Sequence, residues 1–140
     1  MRCTEIMTSN PECCLPSDPV VKAARLMRSE DVGPIPIVTD KDSKKLTGIV
    51  TDRDLAVKVV AEGRDPNATP IEEVMTQEVI TCNEDDDVKQ VLNLMQKHQV
   101  RRIPVVDRNL QLLGIIAQAD VATRLARDKV TGQMVEEISH

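Results

Sequence analysis

The sequence predicts an α+β fold of two pseudo-symmetric β-α-β-β-α units packed sheet to sheet, and three observations lead there. The first is an internal repeat. Shifted by 68 positions, residues 5–38 align with 73–106, and 12 of the 34 pairs are identical, where average composition gives roughly two by chance. After a two-residue deletion the offset becomes 66, and Leu46, Gly48, Ile49, Asp54 and Ala56 meet Leu112, Gly114, Ile115, Asp120 and Ala122. The second is patterning: each repeat runs from a helical period into two short β-branched stretches. The third is size. A unit of about 60 residues buries too little surface to be comfortable alone, so the two units of a 140-residue chain are expected to share their faces.

Each unit opens on a leading segment, with Met7-Thr8 matched by Met75-Thr76 and Cys14 by Cys82. A helix follows. Asp18-Pro19 reads as its start, Asp to cap the free amides and Pro at the first helical position. Val20, Ala23-Ala24 and Met27 then recur at helical spacing, as do Val88, Val91-Leu92 and Met95. The runs IPIV and LTGIV, matched by IPVV and LLGII, are short and β-branched and read as buried strands. The polar turns DKDSKK and DRNLQ suit hairpins, and a second helix begins near Asp54 or Asp120. Gly63, Pro66 and Pro70 mark a linker. The division expected is a first unit over 1–62, a linker over 63–72, a second unit over 73–127 and a tail or helix extension over 128–140.

Composition narrows the function. Phe, Tyr and Trp are absent, which removes the stacking platforms of single-stranded nucleic-acid binders and the aromatic cages of quaternary ammonium sites. Eighteen Lys and Arg against 23 Asp and Glu give a net charge of −5, so a nucleic-acid polymer is an unexpected partner. No apolar run approaches the ~18 residues of a membrane span, and MRCTEIMTSN lacks the apolar core of a secretory signal. A cytoplasmic protein with four reduced thiols is expected. With two His, no nucleophile elbow and no Gly-rich phosphate loop, no catalytic residues are assigned.

The duplicated pattern Met-Thr, then Ile-Pro-[IV]-Val, then Gly-Ile-[IV]-x-x-x-Asp resembles the paired cystathionine-β-synthase (CBS) domain, or Bateman module. The resemblance runs from about Glu5 to Arg127 and is closest to small stand-alone bacterial CBS pairs. It implies clefts between the units that take adenine nucleotides. On this chain it implies a site of Thr51 and Asp54 facing Arg101 and Arg102, with the backbone near Val79 and Ile80 beside adenine. In the symmetry-related cleft Asp120 is kept, but Ala117 stands for Thr51 and Gly33-Pro34 for the arginine pair. That cleft is expected to be degenerate.

The residues themselves leave alternatives open. Thr51 and Asp54 also fit a capping box at a helix start, and Arg101 and Arg102 are either rim salt-bridge partners or anion ligands. The acidic run Glu84-Asp85-Asp86-Asp87 is expected to complement a helix macrodipole rather than bind metal, and His98 to sit favourably near a helix C-terminus. Cys14 and Cys82 are expected in the core; Cys3, Cys13, Cys14 and His140 leave a metal site or an intersubunit disulfide as the minor alternative. No metal or required cofactor is assigned. The function expected is a regulatory sensor of AMP, ADP or ATP, acting as a homodimer or on an effector protein in trans. The alternative is a ligand-independent interaction dimer docking a separate enzyme or transporter.

Overall fold

The computed structural model describes residues 1–139, with side chains described through Val130. In chain order the elements are β1 (Thr8–Ser9), α1 (Val20–Glu30), β2 (Pro34–Val38), β3 (Leu46–Thr51), α2 (Asp52–Leu55, continued as a π-helical turn over Ala56–Val60), β4 (Cys82–Asn83), α3 (Val88–His98), β5 (Arg102–Val106), β6 (Leu112–Ala117) and α4 (Gln118–Ser139). Each unit is a sheet packed on helices. The second holds a four-stranded sheet of order β1-β6-β5-β4, antiparallel except for the parallel pair β4–β5. The first holds the antiparallel pair β2–β3, extended by single bridges from Cys14 to Ile37 and from Thr76 to Ile49. These are the same four positions in the same order.

The leading segments are exchanged. Thr8 pairs with Ile115 of the second unit, while Thr76 pairs with Ile49 of the first, through bonds of 2.9 and 2.8 Å. Residues 1–9, grouped with the first unit by chain order, therefore add to the second sheet. The cores follow the exchange: Ile71 and Val74 pack with Cys14, Val20, Ile35 and Val50, and Cys3 packs with Cys82, Val88, Ile103 and Ile116. Two glycines make room for it. A Cβ at Gly48 would stand 2.6 Å from Met75 Sδ, and one at Gly114 2.5 Å from Met7 Sδ and 2.7 Å from the Thr8 carbonyl oxygen. At the hairpin tips the sheets also meet directly, Leu46 N–H donating to Leu110 O (2.9 Å) and Leu112 N–H to Lys44 O (2.8 Å).

The start of α1 differs from expectation: Pro19 is the extended N-cap residue rather than the first helical one, and the helix begins at Val20. Asp18 does not cap α1; its carboxylate accepts from Leu15 N–H (2.8 Å) and Lys22 Nζ (3.1 Å). Burial alone would push this carboxyl up, but that amide and the ammonium outweigh it and hold it below its ordinary value. The amides of α1 are served by the linker instead, Val20 N–H donating to Thr69 O (2.9 Å) and Val21 N–H to Pro66 O (3.1 Å). Thr69, 3% exposed, is itself held by a 2.7 Å bond from its hydroxyl to Asp65 O. In the second unit Asp87 takes the cap, its carboxylate accepting from Lys89 N–H while Gln90 reaches back to Asp87 N–H.

Three of the four thiols are core groups. Cys3, Cys14 and Cys82 are 0–2% exposed, whereas Cys13 is half-buried. Burial pushes the Cys14 thiol up to about 11 and raises Cys3 and Cys82 as well. Cys3 lies in the second core and Cys14 in the first, so the two do not meet; His140 lies outside the described residues. Ellman's reagent at pH 8 is expected to find one fast thiol, Cys13, in the native protein and all four after denaturation. Two or more fast thiols would show that the cores open readily.

Candidate functional site

Exchange of the leading segments leaves a cleft on each side of the pseudo-twofold axis. The larger, of about 550 Å³, lies where the end of β3 faces the start of β5. Thr51, Val79, Ile80, Arg101 and Arg102 all line it, together with Ile49 and Val100. Its volume is that of a small-molecule site. Thr51 is carried there as the last residue of β3 and the N-cap of α2. Arg102 opens β5, and the preceding Arg101 is fixed through its carbonyl, which accepts from Gln118 N–H at 2.8 Å.

Asp54 is placed differently from its expected role. It does not line the cleft. One carboxylate oxygen accepts from Thr51 N–H at 3.0 Å and the other pairs with Lys58 Nζ at 3.1 Å, while Asp54 N–H donates to Thr51 Oγ1 at 3.1 Å. This is a capping box. It orients Thr51 and leaves the hydroxyl proton free to donate. The carboxylates that do line the cleft are Asp52 and Glu78. Chain position offers a signal for Asp52, which follows Thr51 at the mouth of the helix, whereas the resemblance points to Asp54.

The arginine pair has no internal use. Among the described residues neither Arg101 nor Arg102 has a carboxylate within 4.0 Å, so no rim salt bridge accounts for them. Two guanidinium groups without partners on one wall give the cleft a fork of donors for an anion. On the same side, leading into β4, the parallel neighbour of β5, Val79 and Ile80 are half-buried, and their backbone amides and carbonyls take no backbone partner among the described residues. Such a stretch can read the polar edge of a ring that lies between aliphatic side chains.

The second cleft, of about 310 Å³, has the same construction and different chemistry. Ala117 replaces Thr51, and Pro11, which has no N–H, replaces Val79. Asp120 lines it, exposed at the start of α4. Glu12 and Glu30 join it there, at the positions held by Ile80 and His98 in the other repeat. Arg102 reaches this cleft too. The repeat alignment contains the Glu12 and Glu30 exchanges, but only the fold shows that both face one cleft. Among the described residues no group of three or more His, Cys, Asp or Glu is placed to hold a metal ion, and no helix is long and apolar enough to cross a membrane.

Known proteins share this architecture. The "CBS domain-containing protein YhcV" of Bacillus subtilis (strain 168) is 37% identical over 136 residues, covering 97% of this chain and 94% of that protein. The crystal structure of Hypoxic Response Protein I with two coordinated zinc ions superposes with a TM-score of 0.78 at 33% identity, over 88% of this chain and 98% of that one. The CBS domain pair of protein MJ0100, in complex with 5-methylthioadenosine and S-adenosyl-L-methionine, gives a TM-score of 0.76 at 29% identity, over 91% and 98% of the two chains. The family model for the CBS domain matches twice, over residues 3–61 and 71–127. With both halves matched and their strands exchanged, this chain belongs to the CBS domain family as a tandem pair.

Proposed function

We propose that the larger cleft binds an adenine nucleotide and that the module is a regulatory sensor rather than an enzyme. The observation that carries this reading is the pair Arg101 and Arg102, without carboxylate partners among the described residues and facing Thr51 across a cleft of about 550 Å³. The phosphate sits against the two guanidinium groups and the Thr51 hydroxyl. Adenine lies between Ile49 and Val100, its edge read by the backbone at Val79 and Ile80. Asp52, which lines the cleft, is the carboxylate offered to the ribose hydroxyls, and Asp54 acts as a positioning residue that holds Thr51. The MJ0100 pair holds two adenine nucleosides, and the cations here favour a phosphorylated relative, AMP, ADP or ATP, over a sulfonium. Cytoplasmic nucleotide pools and reduced thiols suit the same setting.

Calorimetry and thermal melts with AMP, ADP and ATP test the reading. At least one is expected to give heat and raise the melting temperature; silence from all three at millimolar concentration would sink it. Asp54→Ala is expected to weaken binding about tenfold by releasing Thr51, the worth of one charge-assisted hydrogen bond. Output is proposed to pass through a homodimer or an effector protein. Val57 and Val60, 48% and 75% exposed on the outer face of the α2 segment, supply an apolar contact for a second copy, and light scattering is expected to give a dimeric mass. The same two valines favour the second reading, an interaction dimer without ligand. A partner retained equally with and without nucleotide would select it.

A further inference from the structure

The two clefts meet at one side chain. Arg102 lines both, whereas its repeat equivalent, Pro34, lines the larger alone. In the smaller cleft Arg102 shares the lining with Glu12, Glu30 and Asp120, without direct ion pairing within 4.0 Å among the described residues. Helix stability does not account for Glu30. It is the last residue of α1, where a negative charge opposes the macrodipole. Nor does the repeat require Glu12 or Glu30, since Ile80 and His98 hold the equivalent positions; Asp120 alone has an acidic equivalent, Asp54. What the acids share is a cleft whose lining includes one cation. Arg102 is half-buried and the three acids are exposed; opposite charges lining one cleft attract without contact, modestly and most at low salt.

We propose that Arg102 is a shared guanidinium: the carboxylates of the smaller cleft compete for it with the phosphorylated ligand of the larger, and so attenuate that ligand's affinity. The proposal rests on the larger cleft being a phosphate site. An anion there draws Arg102 over and leaves the three acids of the smaller cleft without their cation, and by linkage each cleft feels the other's occupancy equally. Pro34 at the equivalent position makes the coupling one-sided in structure, because one arginine serves both sites.

The test uses AMP on the full chain, by calorimetry. Glu30→Gln and Asp120→Asn alter side chains that do not line the larger cleft, yet each is expected to tighten AMP binding about two- to fivefold, the upper reach of an exposed charge pair. The gain is expected to vanish in an Arg102→Ala background. Unchanged affinity overturns the proposal, as does an equal gain without Arg102, which would mark a general field effect. A second readout needs no ligand. The side-chain Nε–H resonance of Arg102, assigned by its loss in Arg102→Lys, is expected to move in nucleotide-free Glu30→Gln protein; a stationary resonance overturns the proposal. If AMP gives no heat and the resonance still moves, the nucleotide reading fails and the competition with it, while the hold of the acids on Arg102 stands.

Discussion

With Ala at both Arg101 and Arg102, AMP affinity is expected to fall at least about a hundredfold. A hydrogen bond to a charged group contributes about 1.5–3 kcal/mol, so losing one from each arginine costs about 3–6 kcal/mol, or two to four decades in Kd. Stability should hardly change, because neither side chain has a carboxylate partner among the described residues. Calorimetry reads the affinity and far-ultraviolet circular dichroism the fold; intrinsic fluorescence is closed to a chain without aromatic residues. Arg102→Lys keeps the charge and loses the fork, and is expected to fall between wild type and the alanine variants. A double variant that binds AMP normally would remove the phosphate from this wall of the cleft.

Gly114→Ala carries the largest expected effect on stability. Its Cβ would stand 2.7 Å from the Thr8 carbonyl oxygen and 2.5 Å from Met7 Sδ. The methionine can turn away, but the carbonyl belongs to β1, which is paired to this stretch of β6. The strand must move. Overpacking of this kind costs about 2–3 kcal/mol, which in a chain of this size lowers the melting temperature by about 6–12 °C. Gly48→Ala is expected to cost less, since the Thr76 carbonyl lies farther off at 3.0 Å. Gly63 is the control: at φ +66° with nothing within 4 Å, its replacement by Ala meets only the left-handed strain of about 1 kcal/mol. If Gly114→Ala melts with wild type, the tight strand crossing is not what stabilises the second sheet.

Much of this architecture is legible in the amino-acid order because the duplication writes it twice. The helical spacing from Val20 to Met27 and the β-branched runs at Ile35 and Ile103 are local signals, and they lead to α1, β2 and β5. The exchange of strands is not local. Nothing in Met7-Thr8 says that its partner is Ile115 rather than Ile49, since both offer the same residue type beside a glycine. Asp18 shows the same limit at smaller scale: it has the chemistry of a cap, but linker carbonyls more than 40 residues away reach the amides first. At the site, five of the six residues named from the resemblance line one cleft. Asp54 is held in the capping box with Thr51 and pairs with Lys58 four residues on. Of the acids of the smaller cleft only Asp120 is legible in the sequence; Glu12 and Glu30 belong to no motif and meet only in three dimensions.

The exchanged strands also set an order of assembly. The pairing of Thr8 with Ile115 closes a loop that spans most of the chain, and such non-local contacts form slowly. During synthesis the first sheet lacks its outer position until Thr76 has emerged. The segment at Met7-Thr8 must wait, unpaired, until β6 exists. A leading segment with a free strand edge is a template for the wrong partner, and in a crowded cell the nearest candidate is the same segment of another nascent chain. Folding of this module is therefore expected to finish where the sequence begins.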